Sequence, residues 1–152
     1  MTNRWTVDAI SSLDAARRQL RGAVDGLSNE ALQRKGTNAW SVKDILAHVA
    51  MWDEMELLEM RRSARGGVSI FDHRFDRSLI DRWNDVQFRL RGPLPLDQVR
   101  DDLRAAREDI VRFLGSLAQD SPAFISTACS VQAKHDIDHA AQIRAWRDAE
   151  GI

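Results

Sequence analysis

Four stretches of this chain repeat apolar residues at intervals of three and four, and a chain built that way can bury its apolar surface only as packed amphipathic helices. The first runs from about Trp5 to Leu27, with Ala9, Ile10, Leu13, Ala16, Leu20, Val24 and Leu27 in the stripe and Asp14, Arg17, Arg18 and Arg21 mainly outside it. The third is the most regular: Val99, Leu103, Ala106, Ile110, Phe113, Leu114 and Leu117, entered at Leu94-Pro95-Leu96-Asp97 and broken at residues 119–122. Its flank of Arg and Asp reads as ordinary solvated surface.

The second stretch carries its own start signal. Ser41 is a good N-cap, Asp44 stands where a capping-box carboxylate belongs, and Trp40 and Ile45 are spaced as a hydrophobic staple. Gly66-Gly67 is a natural stop. At 100° per residue Lys43, Glu54 and Arg61 share a narrow outer stripe, while Ile45, His48, Trp52 and Met55 lie roughly opposite and face inward. A single helical turn is expected after Ser28, and a shorter helix from about Phe75 to Leu90, with Leu79, Trp83, Val86 and Leu90 at helical spacing before Gly92-Pro93. The last helix begins between Ile125 and Val131 and puts His135, His139, Gln142, Ile143 and Trp146 on one face. The expected class is an all-α four-helix bundle with an extra short helix, one domain over residues 1–152.

Charge and composition narrow the partners. Twenty-two basic and 23 acidic residues leave a net charge of −1, which points to no nucleic-acid partner and no membrane surface. The first residues lack the apolar run of a signal peptide, and the single cysteine, Cys129, fits a reducing cytoplasm. Cys129 reads as a small buried hydrophobe rather than a nucleophile.

The chemistry concentrates in the histidines. His135 and His139 are four apart, so on a helix their side chains stack one turn apart with Cβ atoms ~5–6 Å from each other. Such a pair can grip one divalent metal, and an inward His48 supplies a third ligand. Three neutral imidazoles leave such an ion with open positions, the pattern of catalytic rather than structural sites. Asp44, Asp136 and Asp138 are near enough in sequence to orient a ring. Asp44 and Asp136 are more simply a helix cap and a solvated charge, and Asp138 is evenly balanced. His73, beside Asp72, reads as surface. Trp52 and Trp146 can wall a pocket above the metal, whereas Trp40 and Trp83 read as core.

The string Trp40-Ser41-Val42-Lys43-Asp44-Ile45-Leu46-Ala47-His48, followed by His135-x3-His139-x3-Ile143-Arg144-x-Trp146, resembles the DinB/YfiT-like superfamily and within it the ClbS/DfsB type. That resemblance implies an up-down-down-up bundle whose long crossover lies between the second and third long helices. It implies a divalent metal, often nickel or zinc, held at His48, His135 and His139, and a homodimer. It further implies chemistry of the detoxification kind. Relatives include S-transferases using bacillithiol, mycothiol or glutathione, a mycothiol-dependent maleylpyruvate isomerase, and self-protection proteins that hydrolyse a reactive natural product. The expected function is therefore a metal-dependent enzyme that activates a low-molecular-weight thiol, or water, against an electrophilic small molecule. A non-enzymatic protein that sequesters such a molecule and a dimeric scaffold with a vestigial site are the alternatives.

Overall fold

The computed structural model describes residues 4–36, 39–70, 77–118 and 123–152. Six helices follow in order: α1 (Arg4–Val24), α2 (Asn29–Gln33), α3 (Val42–Ala64), α4 (Arg77–Arg91), α5 (Leu96–Gly115) and α6 (Ala123–Glu150). The four long ones form the bundle. Trp5 meets Ser126 and Arg147 meets Ala23, so α1 and α6 run parallel. Lys43 reaches the Gly92 and Leu94 carbonyls while Asp53 meets Arg107, so α3 and α5 also run parallel. Arg107 of α5 reaches back to the Leu13 carbonyl and Arg17 of α1 to the Leu103 carbonyl, which makes that pair antiparallel. This is the up-down-down-up order, with α4 in the crossover from α3 to α5.

Local chemistry sets the ends of α3. The Ser41 hydroxyl accepts from the Asp44 N–H at 3.1 Å, and the Asp44 carboxylate accepts from the Ser41 N–H at 2.8 Å, so two orphan donors are satisfied reciprocally. Gly66, at φ +77°, donates to the Ser63 carbonyl while Gly67 donates to that of Arg62, a Schellman ending that needs the left-handed residue. Because Ser41 is buried, Ser41→Ala is expected to cost about 1–2 kcal/mol. A drop of roughly 2–8 °C in the melting temperature is the readout, and an unchanged melt would show the cap to be idle.

The bundle interior has two apolar layers. Leu20, Leu46, Val49, Val99 and Ile143 belong to one, Leu13, Leu57, Ile110, Leu114 and Ile125 to the other. Between them lies a layer of charge. Arg17 gives Asp136 a bond of 2.7 Å from Nε and Asp53 one of 2.7 Å from Nη2. Arg107 grips Asp53 through Nε and Nη2, both at 3.0 Å, and approaches Asp136 at 3.3 Å. All four residues are at most 5% exposed, one from each long helix, and their charges sum to zero. Asp136 and Arg17, expected among solvated charges, are thus core residues. So is Arg107, on the flank of α5.

Other departures are smaller. The buried face of α3 is Leu46, Ala50, Asp53, Leu57 and Met60, whereas His48, Trp52 and Met55 are half-buried on the flank toward α6 and α4. The helix α6 begins at Ala123, earlier than its apolar spacing suggests. On α4 the apolar stripe stays largely outside: Leu79, Val86 and Leu90 are 41, 47 and 66% exposed. Among the described residues, no helix is long and apolar enough to cross a membrane.

Candidate metal centre

The charged layer fixes how α6 is turned. With Asp136 drawn inward to the two arginines, its neighbour His135 is rotated 100° toward α3, and His139 follows one turn on. His48 meets them across the α3–α6 contact. His135 Nε2 lies 3.0 Å from His48 Nε2 and 3.0 Å from His139 Nε2, and one ligand atom from each of the three lies within 4.8 Å of the others. The ring edges are crossed rather than stacked, with centroids 4.5–5.1 Å apart. The rings are half-buried, so the cluster sits at the wall of the bundle rather than on its axis.

Electrostatics keeps the rings neutral. Burial, then the neighbouring histidines, push His48 down to about 3. Burial, then His139, do the same for His135, also to about 3, against Asp138. His139 is lowered by burial, with Gln142, Asp136 and Asp138 opposing. Neutral imidazoles are the form that ligates metal. The tautomers agree: with Gln142 in its assigned amide orientation, His139 Nδ1–H donates to Oε1 at 2.8 Å, which leaves a lone pair on Nε2 facing the cluster. Three nitrogens gathered at this spacing suit a cation better than they suit one another. His135 Nδ1 is buried without a partner among the described residues.

The remaining site candidates separate. Asp44 caps α3 as expected, and Asp138 is exposed and pairs with Lys134. Cys129 is 4% exposed, with burial pushing its thiol up to about 11. His73 and Asp72 lie outside the described residues. Trp40, expected in the core, is half-buried: it stacks on Phe88 at 5.1 Å and sets an edge against His48 at 5.2 Å. Trp83 is half-buried too, its indole N–H pointed at the Met51 sulfur.

One cavity borders the cluster and another lies apart from it. The first, of about 510 Å³, is lined by His48, Trp52, Glu56, Phe124, Gln132 and His135 among others. Trp52 therefore stands in the wall next to the histidines, its indole N–H held by Asn84 at 3.0 Å. Trp146 is elsewhere, lining a cavity of about 230 Å³ with Gly36, Trp40, Ile45 and Gln142. Glu56 and Gln132 escaped the sequence reading. Their signal was there: His48, Trp52 and Glu56 follow at i, i+4 and i+8, and Gln132 precedes His135 by one turn.

The fold and this cluster define an all-helical bundle protein with a three-histidine group beside a cavity of about 510 Å³. The chain belongs to the DinB superfamily, whose family model matches residues 12–146. Three solved structures share the fold. An uncharacterised protein from Escherichia coli UTI89 aligns with a TM-score of 0.77 at 11% identity, over 97% of this chain and 95% of that one. The colibactin self-resistance protein ClbS, in complex with a dsDNA, gives 0.76 at 12%, over 93% and 94%. The sibling lethal factor precursor DfsB gives 0.77 at 14%, over 95% and 96%. No curated protein matches the sequence.

The ClbS complex corrects one expectation. Near-zero net charge points away from nucleic acid, yet a protein of this fold is found in complex with a dsDNA. Net charge sums the whole molecule, whereas phosphates respond to local charge. Here Arg18, Arg21, Arg104 and Arg112 line one groove between α1 and α5.

Proposed function

We propose that this protein is a metal-dependent enzyme of detoxification, working in the cytoplasm on an electrophilic small molecule. The metal, nickel or zinc, is held by His48, His135 and His139. The observation that supports this reading is the placement of three neutral imidazoles, His135 Nε2 lying 3.0 Å from Nε2 of both His48 and His139, beside a cavity of about 510 Å³. That volume is within the roughly 300–1,000 Å³ of small-molecule sites. A divalent ion on three imidazoles lowers the pKa of a thiol or water that it binds and so supplies the nucleophile. The protein does the rest. Gln142 orients His139, the Asp136 ion pairs orient the helix that bears both α6 ligands, and Trp40 and Trp52 hold His48 between them. Trp52, Phe124 and Ile80 give the electrophile an apolar wall. In the reaction a sulfur–carbon or oxygen–carbon bond forms at the electrophile. The bond to its leaving heteroatom breaks, and the proton released by the thiol or water ends on that heteroatom. ClbS, a self-resistance protein on the same fold, supports a protective role.

Chelator-treated protein given zinc or nickel and then freed of excess is expected to retain one ion per chain, and His48→Ala to retain none. With metal, glutathione, mycothiol or bacillithiol and a chromogenic epoxide or aryl halide, turnover is expected with one of the thiols or with water. Absence of metal uptake removes the centre. Uptake without turnover, together with equal binding of the electrophile by metal-free protein, would make it a sequestering protein instead.

A further inference from the structure

Among the described residues, the three fully buried carboxylates are matched with cations, whereas Glu56, half-buried at the cavity wall, is not. Asp53 and Asp136 share Arg17 and Arg107. Glu59 has Arg62 at 3.5 Å and the Ile70 N–H at 2.7 Å. Glu56 has neither: its partner is the Gln132 side chain. Glu56 Oε2 and Gln132 Oε1 are both buried with no hydrogen-bond partner among the described residues, and both residues line the cavity beside the histidines. Two orphaned acceptor oxygens, one of them a carboxylate's, are costly unless something donates to them.

We propose that this end of the cavity binds the protonated basic nitrogen, amine or amidine, of the small molecule that the protein acts on. An ammonium group has donors only, so it matches two acceptors; an alcohol offers one donor and a carboxylate none. The surroundings fit a cation. Asp53 and Glu59 lie near Glu56 on its own helix, and together with burial they push its carboxyl up to about 7, a shift that an arriving cation would reverse. On α6 the facing groups are Gln132, the neutral Cys129 thiol and the neutral His135. From α4, Arg77 lines the cavity, but it is 86% exposed and directed to Asp81. Trp52, between His48 and Glu56 on the same stripe, lines the cavity with an indole, a ring type that attracts cations. Eight residues of α3 separate His48 from Glu56, a rise of about 12 Å. The nitrogen therefore stands several bonds from the electrophilic atom at the histidines.

This inference rests on the cavity being the substrate site proposed above, and metal-free protein keeps the two tests apart. Benzylamine, benzyl alcohol and benzoate are titrated into chelator-treated protein at about pH 8, where Glu56 is mostly ionised and benzylamine still charged. Benzylamine is expected to bind about ten-fold more tightly than benzyl alcohol, the worth of one charge-assisted hydrogen bond, and benzoate not at all. Glu56→Gln is expected to remove that preference and leave benzyl alcohol binding unchanged. Because Glu56→Gln keeps the side chain's size and removes a charge the fold disfavours, its melting temperature should not fall, which verifies folding. Equal binding of benzylamine and benzyl alcohol, no binding of benzylamine, or undiminished preference in Glu56→Gln overturns the proposal. With metal uptake intact, such results leave the metal centre standing.

Discussion

Asp53→Ala is expected to lower the melting temperature by about 6–20 °C, the largest effect of any single substitution considered for this fold. Asp53 is wholly buried and receives one bond from Arg17 and two from Arg107. Removing it leaves two buried guanidiniums with one carboxylate, so a net positive charge is stranded in the bundle interior. Breaking a buried pair in this way costs about 3–5 kcal/mol, a large part of the roughly 5–15 kcal/mol that holds a domain together. For a chain of this size each kcal/mol moves the melt by about 2–4 °C. The layer's net worth is a separate matter. Replacing Arg17, Asp53, Arg107 and Asp136 together with apolar residues of similar volume is expected to recover most of the loss, since desolvation and attraction nearly cancel in such networks. What the ions supply is register: each arginine touches both carboxylates, and a slip of one residue in any long helix unpairs it. A melt of Asp53→Ala within 2 °C of the parent, the shift of about one kcal/mol, would show the layer to be dispensable.

The second large effect is expected from metal. At a free ion concentration 1,000 times the dissociation constant, binding to the folded state alone adds about 4 kcal/mol, a rise of roughly 8–16 °C, and His135→Ala is expected to abolish it. The metal-free protein should also respond to pH in a defined direction. His48 and His135 have folded pKa values of about 3, below the ordinary 6.5, so the unfolded chain takes up protons that the folded chain refuses. Their contribution is complete above pH 6.5 and is lost as pH falls toward 3, by up to about 1.4 kcal/mol per pH unit for each ring. Glu56 acts oppositely. Its folded pKa of about 7 exceeds the ordinary 4.5, so its contribution is complete below 4.5 and is lost as pH rises through 7. Between these limits the rings outnumber the carboxyl. Chelated protein should therefore melt higher at pH 6.5 than at pH 4.5, and Glu56→Gln should steepen that rise. A melt independent of pH over this interval, or one falling with pH, contradicts neutral buried histidines.

Much of this architecture was readable beforehand, for reasons that are local. Ser41 and Asp44 announce α3 because a capping box is completed within four residues, and Gly66-Gly67 close it for the same reason. His135 and His139 could be paired because helical spacing alone puts them together. Adding His48 needed a second helix at the right rotation, which angle arithmetic approximated: the ring faces α6 from the flank of α3 rather than from its innermost stripe. What was hidden depends on several helices at once. Arg17, Asp53, Arg107 and Asp136 each interrupt or border an apolar stripe and look solvated singly; only the assembled bundle supplies each with opposite charge. Trp146 shares a helix face with His139 in projection, yet it lines a separate cavity with Gly36 and Trp40. The early start of α6 was obscured because its apolar residues are scattered around the helix, as befits one packed against both α1 and α3.

The burial of Cys129 has a consequence for the proposed chemistry with electrophiles. Its sulfur is the chain's only thiol, and its proton leaves only near pH 11, so at neutral pH almost none of it is nucleophilic. It is absent from the walls of the cavity that holds the histidines. A reactive guest there meets rings, amides and carboxyl groups but no thiolate of the host. Under the proposed function, the host would thereby be spared alkylation by the electrophile it binds.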